Sequence, residues 1–225
     1  TLCPDSAITI SVTGGNSYQW TPASGLNTST GSQVIATPTT NVTYTVTSAS
    51  SAGCAATGTV SITVQPRLNP MATPDSVAIC EGETVALQAQ NGQVYNWTPS
   101  MGLDDPSVAT PNAAPSTTTY YTVTIADAVG CTFRDSIVIQ VYPAAIAEAG
   151  NDLAMYAGQS IVLQGQGNGA FNWSPAASLN DPTIATPTAT PVDDQVYTLT
   201  VITNGGCVAS DTTFVDVLYE TVIFV

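Results

Sequence analysis

The stretch VYNWTPSMGL, residues 94–103, decides how this chain is interpreted, because it occurs three times. The other copies are SYQWTPASGL at residues 17–26 and AFNWSPAASL at residues 170–179. Their tryptophans are almost evenly spaced along the chain, at Trp20, Trp97 and Trp173. One copy alone would suggest a sugar-binding aromatic platform or a glycosylation acceptor. Three copies in one register instead indicate a structural repeat.

Other residues recur at fixed distances from each tryptophan. A tyrosine follows every tryptophan at the same interval, at Tyr44, Tyr121 and Tyr197. A cysteine follows at a longer constant interval, at Cys54, Cys131 and Cys207. Cys3 and Cys80 lie 17 residues before their tryptophans, and Tyr156 takes that position in the third copy. We therefore predict repeats over residues 1–66, 67–143 and 144–219, with a terminal strand over 220–225.

Short alternating segments fill each repeat. Residues 119–125 (TYYTVTI) and 195–201 (QVYTLTV) place Tyr and Val on one face and Thr on the other, which is typical of β-strands. No segment has a convincing helical period. We expect an all-β chain of three tandem β-sandwich domains, arranged as a rod because proline stiffens the connectors at 65–76 and 142–152. The repeated tryptophans and tyrosines are predicted to be core anchors, not a ligand platform.

The composition excludes several classes of function. The chain has 225 residues, with 16 acidic residues, two arginines, no lysine and no histidine, for a net charge of −14. This charge opposes binding to nucleic acid and to anionic membranes. Without histidine or lysine there is no Ser-His-Asp triad and no Schiff base. Adjacent loop carboxylates do not form the opposed pair of a glycosidase. We therefore expect no enzyme activity and no cofactor.

The repeat suggests how the cysteines pair. The first two repeats each contain two cysteines, and we predict the disulfides Cys3–Cys54 and Cys80–Cys131, each spanning 51 residues. Cys207 is then left as a free thiol, because Tyr156 occupies its partner position. It would be the relic of a lost bridge or one half of an intermolecular disulfide. Structural disulfides imply an oxidising, extracellular setting.

Two kinds of surface site remain open. Asp104 and Asp105 align with Asn180 and Asp181 of the third repeat, and the oxygen atoms of these loops are weak calcium candidates. The alternative is an ordinary solvated turn, since no EF-hand spacing is present. The pattern N-x-[ST] also occurs, at Asn27, Asn41, Asn96 and Asn172.

The motifs YNWTPSMGLDD, YYTVT and VGCTFRDSIVIQV, with their counterparts, resemble the tandem Ig-like or PKD-like repeats of very long Bacteroidetes cell-surface proteins. Those proteins are exported by the type 9 secretion system and are gliding-motility-associated or adhesin-like. The last residues, LYETVIFV (218–225), are similar to the lead-in of that family's C-terminal sorting domain. The phylum's O-glycosylation pattern, Asp followed by Ser or Thr, would place glycans on four residues: Ser6, Ser76, Ser136 and Thr212.

The resemblance implies a structural function. We expect a non-enzymatic segment of an extracellular stalk or fibre on the bacterial surface, serving attachment, gliding or prey capture. Its partners would be other repeats of the same polypeptide and copies of itself in a bundle, with no nucleic acid and no direct membrane insertion. The alternative is a ligand-binding Ig-like module whose loops hold a glycan or a protein.

Overall fold

The chain is all-β in the computed structural model, which describes residues 1–51 and 53–220. Strands, turns and extended segments account for these residues, and none of them belongs to a helix that could span a membrane. The predicted alternation is the observed one: in Val42–Ala49, Thr119–Ala126 and Gln195–Ile202, buried residues alternate with more exposed ones. The all-β prediction is confirmed, because side chains in a strand point alternately to the core and to solvent.

The strands repeat in nearly the same order in each copy. The first repeat contains β1 (Ile8–Ser11), β2 (Ser17–Thr21), β3 (Gln33–Ala36), β4 (Val42–Ala49) and β5 (Ala55–Ile62). The second contains β6 (Met71–Thr73), β7 (Ser76–Cys80), β8 (Val85–Ala86), β9 (Gln88–Gln90), β10 (Val94–Thr98), β11 (Asn112–Ala113), β12 (Thr119–Ala126) and β13 (Thr132–Tyr142). The third contains β14 (Ala147–Glu148), β15 (Leu153–Tyr156), β16 (Ile161–Val162), β17 (Gln166–Gly167), β18 (Ala170–Ser174), β19 (Thr188–Ala189), β20 (Gln195–Ile202) and β21 (Val208–Leu218).

The sheets show how each sandwich is built. In the third repeat, one sheet has the order β15-β21-β20-β18, and the pairs β16-β19 and β14-β17 form the opposite layer. The second repeat has the equivalent sheet β7-β13-β12-β10 and the pairs β8-β11 and β6-β9. The first repeat has β2-β4-β5 and β1-β3. Strands β7 and β15, the second strands of repeats 2 and 3, pair in parallel with the last strands, β13 and β21.

The core lies between the two layers. In the third repeat, Trp173 and Tyr197 of one layer pack with Leu163 and Ala189 of the other. The first repeat has the same arrangement around Trp20. All six aromatic residues predicted as core anchors are at most 1% exposed, in agreement with that prediction: Trp20, Trp97, Trp173, Tyr44, Tyr121 and Tyr197. Burial of these large side chains adds apolar area to the core, which stabilises each sandwich.

The polar atoms of these aromatic residues are satisfied inside the fold. Each tryptophan Nε1 donates to a backbone carbonyl 11 residues further along the chain, at 3.0, 3.0 and 3.1 Å. The Tyr44 and Tyr121 hydroxyls donate to the Ser24 and Met101 carbonyls, at 2.8 and 2.7 Å. Burial raises the pKa of both tyrosines, so their hydroxyls remain protonated donors at neutral pH. Each repeated decapeptide is therefore a core strand followed by a loop that closes over its tryptophan.

The chain divides into two compact units. The first contains Thr1–Met71, Gln90–Val94 and Thr124–Arg134; the second contains Ala72–Ala89, Tyr95–Val123 and the described residues from Asp135 onward. The first unit thus joins repeat 1 to one end of repeat 2, and the second joins the rest of repeat 2 to repeat 3. The predicted repeat boundaries stay predictions. Of the predicted terminal segment 220–225, all but Glu220 lies outside the described residues.

Candidate functional site

Two disulfides connect consecutive repeats. Cys3 of repeat 1 bonds to Cys131 of repeat 2, and Cys80 of repeat 2 bonds to Cys207 of repeat 3. Their sequence separations are 128 and 127 residues, and their Cα–Cα distances are 5.5 and 5.8 Å. Cys54 is free and exposed. The predicted pairs Cys3–Cys54 and Cys80–Cys131 are therefore wrong, and so is the prediction that Cys207 is a free thiol.

The direction of the first strand explains why a cysteine pair within repeat 1 fails. Leu2 pairs in parallel with Val64, which places Cys3 beside the C-terminal end of its own repeat. Cys54 immediately precedes β5, at the opposite end of the same sheet. Ten residues of extended chain separate Cys54 from Val64, or about 33 Å at 3.3 Å per residue. Two cysteines whose Cα atoms lie more than about 7 Å apart cannot form a disulfide.

The third repeat has the same geometry. Tyr156, which occupies the first-cysteine position, pairs with Leu218 at the end of β21. Cys207 immediately precedes β21, so the full length of an 11-residue strand separates the two positions. In repeat 2, Cys80 pairs in register with Tyr142, the last residue of β13. Cys3 and Cys80 thus lie where the last strand of their own repeat ends, and each bonds to the hairpin loop between the last two strands of the following repeat.

Polar contacts reinforce the joint between repeats 1 and 2, which lies in the first compact unit. Arg67 of the connector forms an ion pair with Asp5, and both side chains are mostly solvent-exposed. The Asn91 side-chain amide donates to the Asn69 carbonyl of the connector at 2.8 Å. The exposed ion pair adds little stability by itself, because water and salt screen it. The disulfide is therefore the main link across this joint.

The joint between repeats 2 and 3 lies in the second compact unit and adds a close packing contact. Gly205, in the loop that precedes Cys207, lies against the ring of Tyr142, and a Cβ at Gly205 would be 2.2 Å from the Tyr142 Cγ. The Asn168 side chain binds the connector in the way Asn91 does, donating to the Ala144 carbonyl at 2.8 Å. A larger residue at position 205 would therefore overlap the Tyr142 ring unless one of the two moved.

Two aspartates attach the incoming connector to the next sandwich. The Ala72 backbone N–H donates to the Asp135 carboxylate at 2.8 Å, and the Ala149 N–H donates to Asp211 at 2.7 Å. Backbone hydrogen bonds from Ala149 and Thr212 lower the pKa of Asp211. These aspartates belong to Asp-Ser/Thr pairs that the sequence suggested as glycosylation motifs. Each carboxylate therefore has a structural role: Asp135 binds the connector that enters repeat 2, and Asp211 binds the connector that enters repeat 3.

The loops predicted as weak calcium candidates are closed by their own hydrogen bonds. Asp104 Oδ1 accepts from the Asn112 backbone N–H at 2.8 Å. The asparagines at the equivalent positions do the same: Asn27 accepts from Ile35 at 2.7 Å and Asn180 from Thr188 at 2.7 Å. Because a neutral amide makes the same bond, this position does not need a charge.

Hydrogen bonds from loop partners also hold the other two candidate carboxylates. Asp105 accepts from both the backbone and the hydroxyl of Ser107, at 2.8 and 2.6 Å, and Asp181 does so from Thr183, at 2.8 and 2.7 Å. These bonds lower the pKa of both aspartates. Among the described residues, no group of three or more Asp, Glu, Cys or His side chains is arranged to hold a metal ion. The calcium hypothesis stays untested.

The predicted O-glycosylation residues differ in exposure. Ser76, Ser136 and Thr212 are exposed, whereas Ser6 is half-buried and its backbone N–H donates to the Cys3 carbonyl at 3.2 Å. Among the N-x-[ST] positions, Asn96 and Asn172 are exposed on the strand face opposite the tryptophans, and the Asn27 and Asn41 side chains accept backbone hydrogen bonds. Modification at any of these residues stays a prediction.

Sequence reasoning did not identify the residues that build the joints. These contacts are made by six residues: Tyr142, Gly205, Asn91, Asn168, Asp135 and Asp211. One signal was available, because Asp135 and Asp211 recur at the same place after the second cysteine. The tyrosine–glycine contact left no such signal, since a glycine two residues before the cysteine occurs only in the third repeat.

No protein-family model and no curated protein matches the chain. Among solved structures, it is similar to the three N-terminal domains of the highly immunogenic outer capsid protein (Hoc) of bacteriophage RB49, at 13% identity and a TM-score of 0.45, with 96% of each chain covered. It is also similar to the insect immune protein hemolin, at 13% identity and a TM-score of 0.42, covering 97% of this chain and 73% of that one. Immunoglobulin domains 1–4 of Sidekick-1 match at 11% identity and a TM-score of 0.37, covering 96% and 73%.

These scores are too low to carry an argument about function, but the strand order identifies the architecture. Each repeat has two facing sheets, and in repeats 2 and 3 an early strand, β7 or β15, runs parallel to the last strand. A tryptophan is buried between the layers, and a tyrosine hydroxyl binds a residue about twenty positions earlier. This is the architecture of Ig-like sandwiches. The chain is a tandem of Ig-like repeats.

Proposed function

We propose that this chain is a non-enzymatic segment of an extracellular stalk or fibre, in which Ig-like repeats are linked in series by disulfides. The observation that carries the proposal is the direction of the two bonds. Each joins the strand-end position of one repeat to the hairpin loop of the following repeat. A disulfide that only stabilised a small domain would lie within that domain. Bonds between domains instead serve the connection itself.

The bonds also change how a pulling force passes along the chain. A pull on the backbone before Cys3 goes through the Cys3–Cys131 bond directly into repeat 2, because repeat 1 lies inside the loop that this bond closes. The Cys80–Cys207 bond then passes force to repeat 3. Covalent bonds hold at forces that separate hydrogen-bonded strands. Repeat 1 is therefore shielded from the load, as a stalk that keeps its length under tension requires.

The chemistry of the chain supports an extracellular setting. Disulfides persist in oxidising compartments outside the cytoplasm. A net charge of −14 with only two basic residues suits a surface that stays separate from nucleic acid and anionic lipid. The sequence resemblance to Bacteroidetes repeats exported by the type 9 secretion system supports placement on a bacterial surface, in attachment, gliding or prey capture. Threonine-rich strand faces support association with copies of the same chain within a bundle.

Three measurements test this proposal together. Negative-stain images of the native surface protein are expected to show thin fibres, and a glycan array probed with the oxidised chain is expected to show no saturable binding. In the source cell, Cys80→Ser is expected to weaken attachment under flow while leaving the amount of exported protein unchanged. A saturable ligand that is lost when exposed loop residues such as Met101 are substituted would instead identify a ligand-binding module.

A further inference from the structure

Cys54 differs from the two cysteines that occupy its position in the other repeats. Cys131 and Cys207 are each 2% exposed. Cys131 is bonded to Cys3 and Cys207 to Cys80, the cysteines that lie at the strand end of the preceding repeat. Cys54 is exposed and unbonded. All three follow a buried tryptophan at the same interval and lie immediately before the last long strand of the repeat. The equivalent residue thus forms an inter-repeat bond in both other copies.

The described residues of the loop that ends at Cys54 make the same hydrogen bonds as their counterparts in the bonded loops. In all three copies the backbone N–H of the first loop residue donates to the carbonyl of the cysteine, at 2.9, 3.0 and 2.9 Å, in the pairs Ser50–Cys54, Asp127–Cys131 and Thr203–Cys207. A side-chain oxygen of that first residue also accepts from the cysteine N–H in each copy, at 3.2, 2.8 and 3.2 Å. The glycine before each cysteine has a φ of 81°, 88° and 82°.

This match means that the loop conformation does not depend on the disulfide. The loop of repeat 1 holds its cysteine as the bonded loops do, but leaves the side chain exposed. Because Cys3, Cys80, Cys131 and Cys207 are all paired, a partner for Cys54 has to come from outside these 225 residues.

We propose that Cys54 forms a disulfide with a cysteine of another Ig-like repeat of the same design, at the position that Cys3 and Cys80 occupy in their own repeats. That cysteine would lie, as Cys3 and Cys80 do, 17 residues before the tryptophan of its repeat. In the reaction the two thiols lose two protons and two electrons to a disulfide oxidant, which is reduced to two thiols, while one new S–S bond forms. Cys54 is thereby the attachment point through which a further repeat joins the series.

The proposal rests on the inter-repeat bonds and not on the stalk function. A chain that attaches another repeat at Cys54 and yet binds a glycan would keep this inference and lose the proposed function. Failure of the bond at Cys54 would leave the two observed bonds, and the load path through them, intact.

The full-length chain offers a direct test, because repeat 3 lacks its strand-end cysteine. Tyr156 occupies that position, is 57% exposed and pairs with Leu218 as Cys80 pairs with Tyr142. The substitution Tyr156→Cys therefore gives repeat 3 the missing thiol in the geometry that the other repeats use. If Cys54 accepts such a thiol, one chain joins the next head to tail.

The expected result with Tyr156→Cys is a ladder of monomer multiples on non-reducing gels after oxidation with glutathione disulfide, which collapses to monomer on reduction. Peptide mapping is expected to join the peptide around residue 156 to the peptide that contains Cys54. Adding Cys54→Ser to this variant is expected to abolish the ladder. Moderate salt should be present, because it screens repulsion between chains of the same charge.

The matched control is Tyr120→Cys, which places a thiol at another tyrosine of the same unit, 73% exposed but away from a joint. Ladders of equal strength from Tyr120→Cys, or products of Tyr156→Cys that stop at two chains joined through Cys54 alone, contradict the proposal.

A second measurement does not depend on any variant. In protein purified unreduced from its native source, Cys54 is expected to be bonded to a cysteine that precedes a tryptophan at the interval seen for Cys3 and Cys80. A free thiol, or a bond to any other cysteine, contradicts the proposal.

Discussion

The pairing of the cysteines can be measured as a length. When a chain with all disulfides intact is pulled from its two ends until every strand has separated, only the shortest covalent path between the ends remains taut. That path runs from residue 1 to Cys3, crosses to Cys131, returns along the backbone to Cys80, crosses to Cys207 and leaves toward residue 225. At about 3.5 Å per residue for extended chain, this path is about 250 Å long.

The alternatives predict clearly different lengths. The reduced chain should extend to about 780 Å at the same rise per residue. Bridges within repeats, Cys3–Cys54 and Cys80–Cys131, would give about 430 Å, because they remove only two shorter loops from the taut path. The assay is single-molecule force spectroscopy with handles at the two chain ends, before and after reductant. An oxidised length that matches either the reduced chain or the within-repeat bridges refutes the inter-repeat bonds.

Single substitutions make this measurement more specific. Cys3→Ser opens one loop, and the taut path should lengthen from about 250 Å to about 340 Å. Cys54→Ser is the matched control, because Cys54 belongs to neither bond and its loss should leave the oxidised length unchanged. If the bridges lay within repeats, the same Cys54→Ser substitution would lengthen the chain to about 610 Å. Cys54→Ser therefore discriminates between the two pairings, because Cys3 belongs to a bond in both and its loss lengthens the chain in either case, to about 340 Å or about 610 Å.

Three further predictions concern the joints, the loops and the surface. Gly205→Ala should lower the free energy of unfolding by about 1–3 kcal/mol in denaturant titrations, because the added methyl group overlaps Tyr142, whereas Gly58→Ala, which has ordinary space for a Cβ, should change it little. Hydrogen bonds from Asn112 lower the pKa of Asp104, so its stabilising contribution is present above about pH 4, the unfolded pKa, and is lost as the pH falls through the lower folded pKa. Asp104→Asn should consequently be slightly less stable than the parent chain in thermal melts near pH 7, and this difference should shrink below about pH 4, where the parent carboxylate becomes protonated. Intact-mass measurement of the native protein should show glycan added to the polypeptide, and a bare polypeptide mass would contradict O-glycosylation.

The repeated aromatic residues could be assigned from the sequence alone. A tryptophan and a tyrosine that recur in register, within strands alternating between apolar and threonine residues, have only the core as a common environment. The sequence also places Asp104 and Asp105 in a loop, as the structure does. What the pattern did not provide was the role of its aspartate. The carboxylate of Asp104 matches both a calcium ligand and a turn, and only the identical bond made by Asn27 and Asn180 gives it a structural explanation.

The disulfide pairing could not be obtained from spacing. In a chain of identical repeats, a bond within one copy and a bond between neighbouring copies join the same two positions of the repeat. Which of these two bonds forms depends on the strand that ends at the first cysteine. If this strand runs antiparallel to the last strand, its cysteine lies near the second cysteine of the same repeat; if it runs parallel, its cysteine lies at the far end of the repeat. Strand β7, which ends at Cys80, is five residues long, and its sequence contains no signal for its partner. Its parallel pairing with β13 moves Cys80 to the far end of the repeat.

This pairing also changes the meaning of the third repeat. If bridges lay within repeats, Tyr156 would be a lost cysteine and Cys207 its unused partner. With bonds between repeats, Cys207 is already bonded to Cys80. Tyr156 means only that repeat 3 has no cysteine with which to form a disulfide to a further repeat. The series therefore has a direction, since every bond runs from a strand end to the hairpin loop of the repeat that follows. Within this chain the hairpin-loop cysteine without a partner is Cys54, and its backbone makes the same hydrogen bond with Ser50 that the bonded cysteines make in their loops.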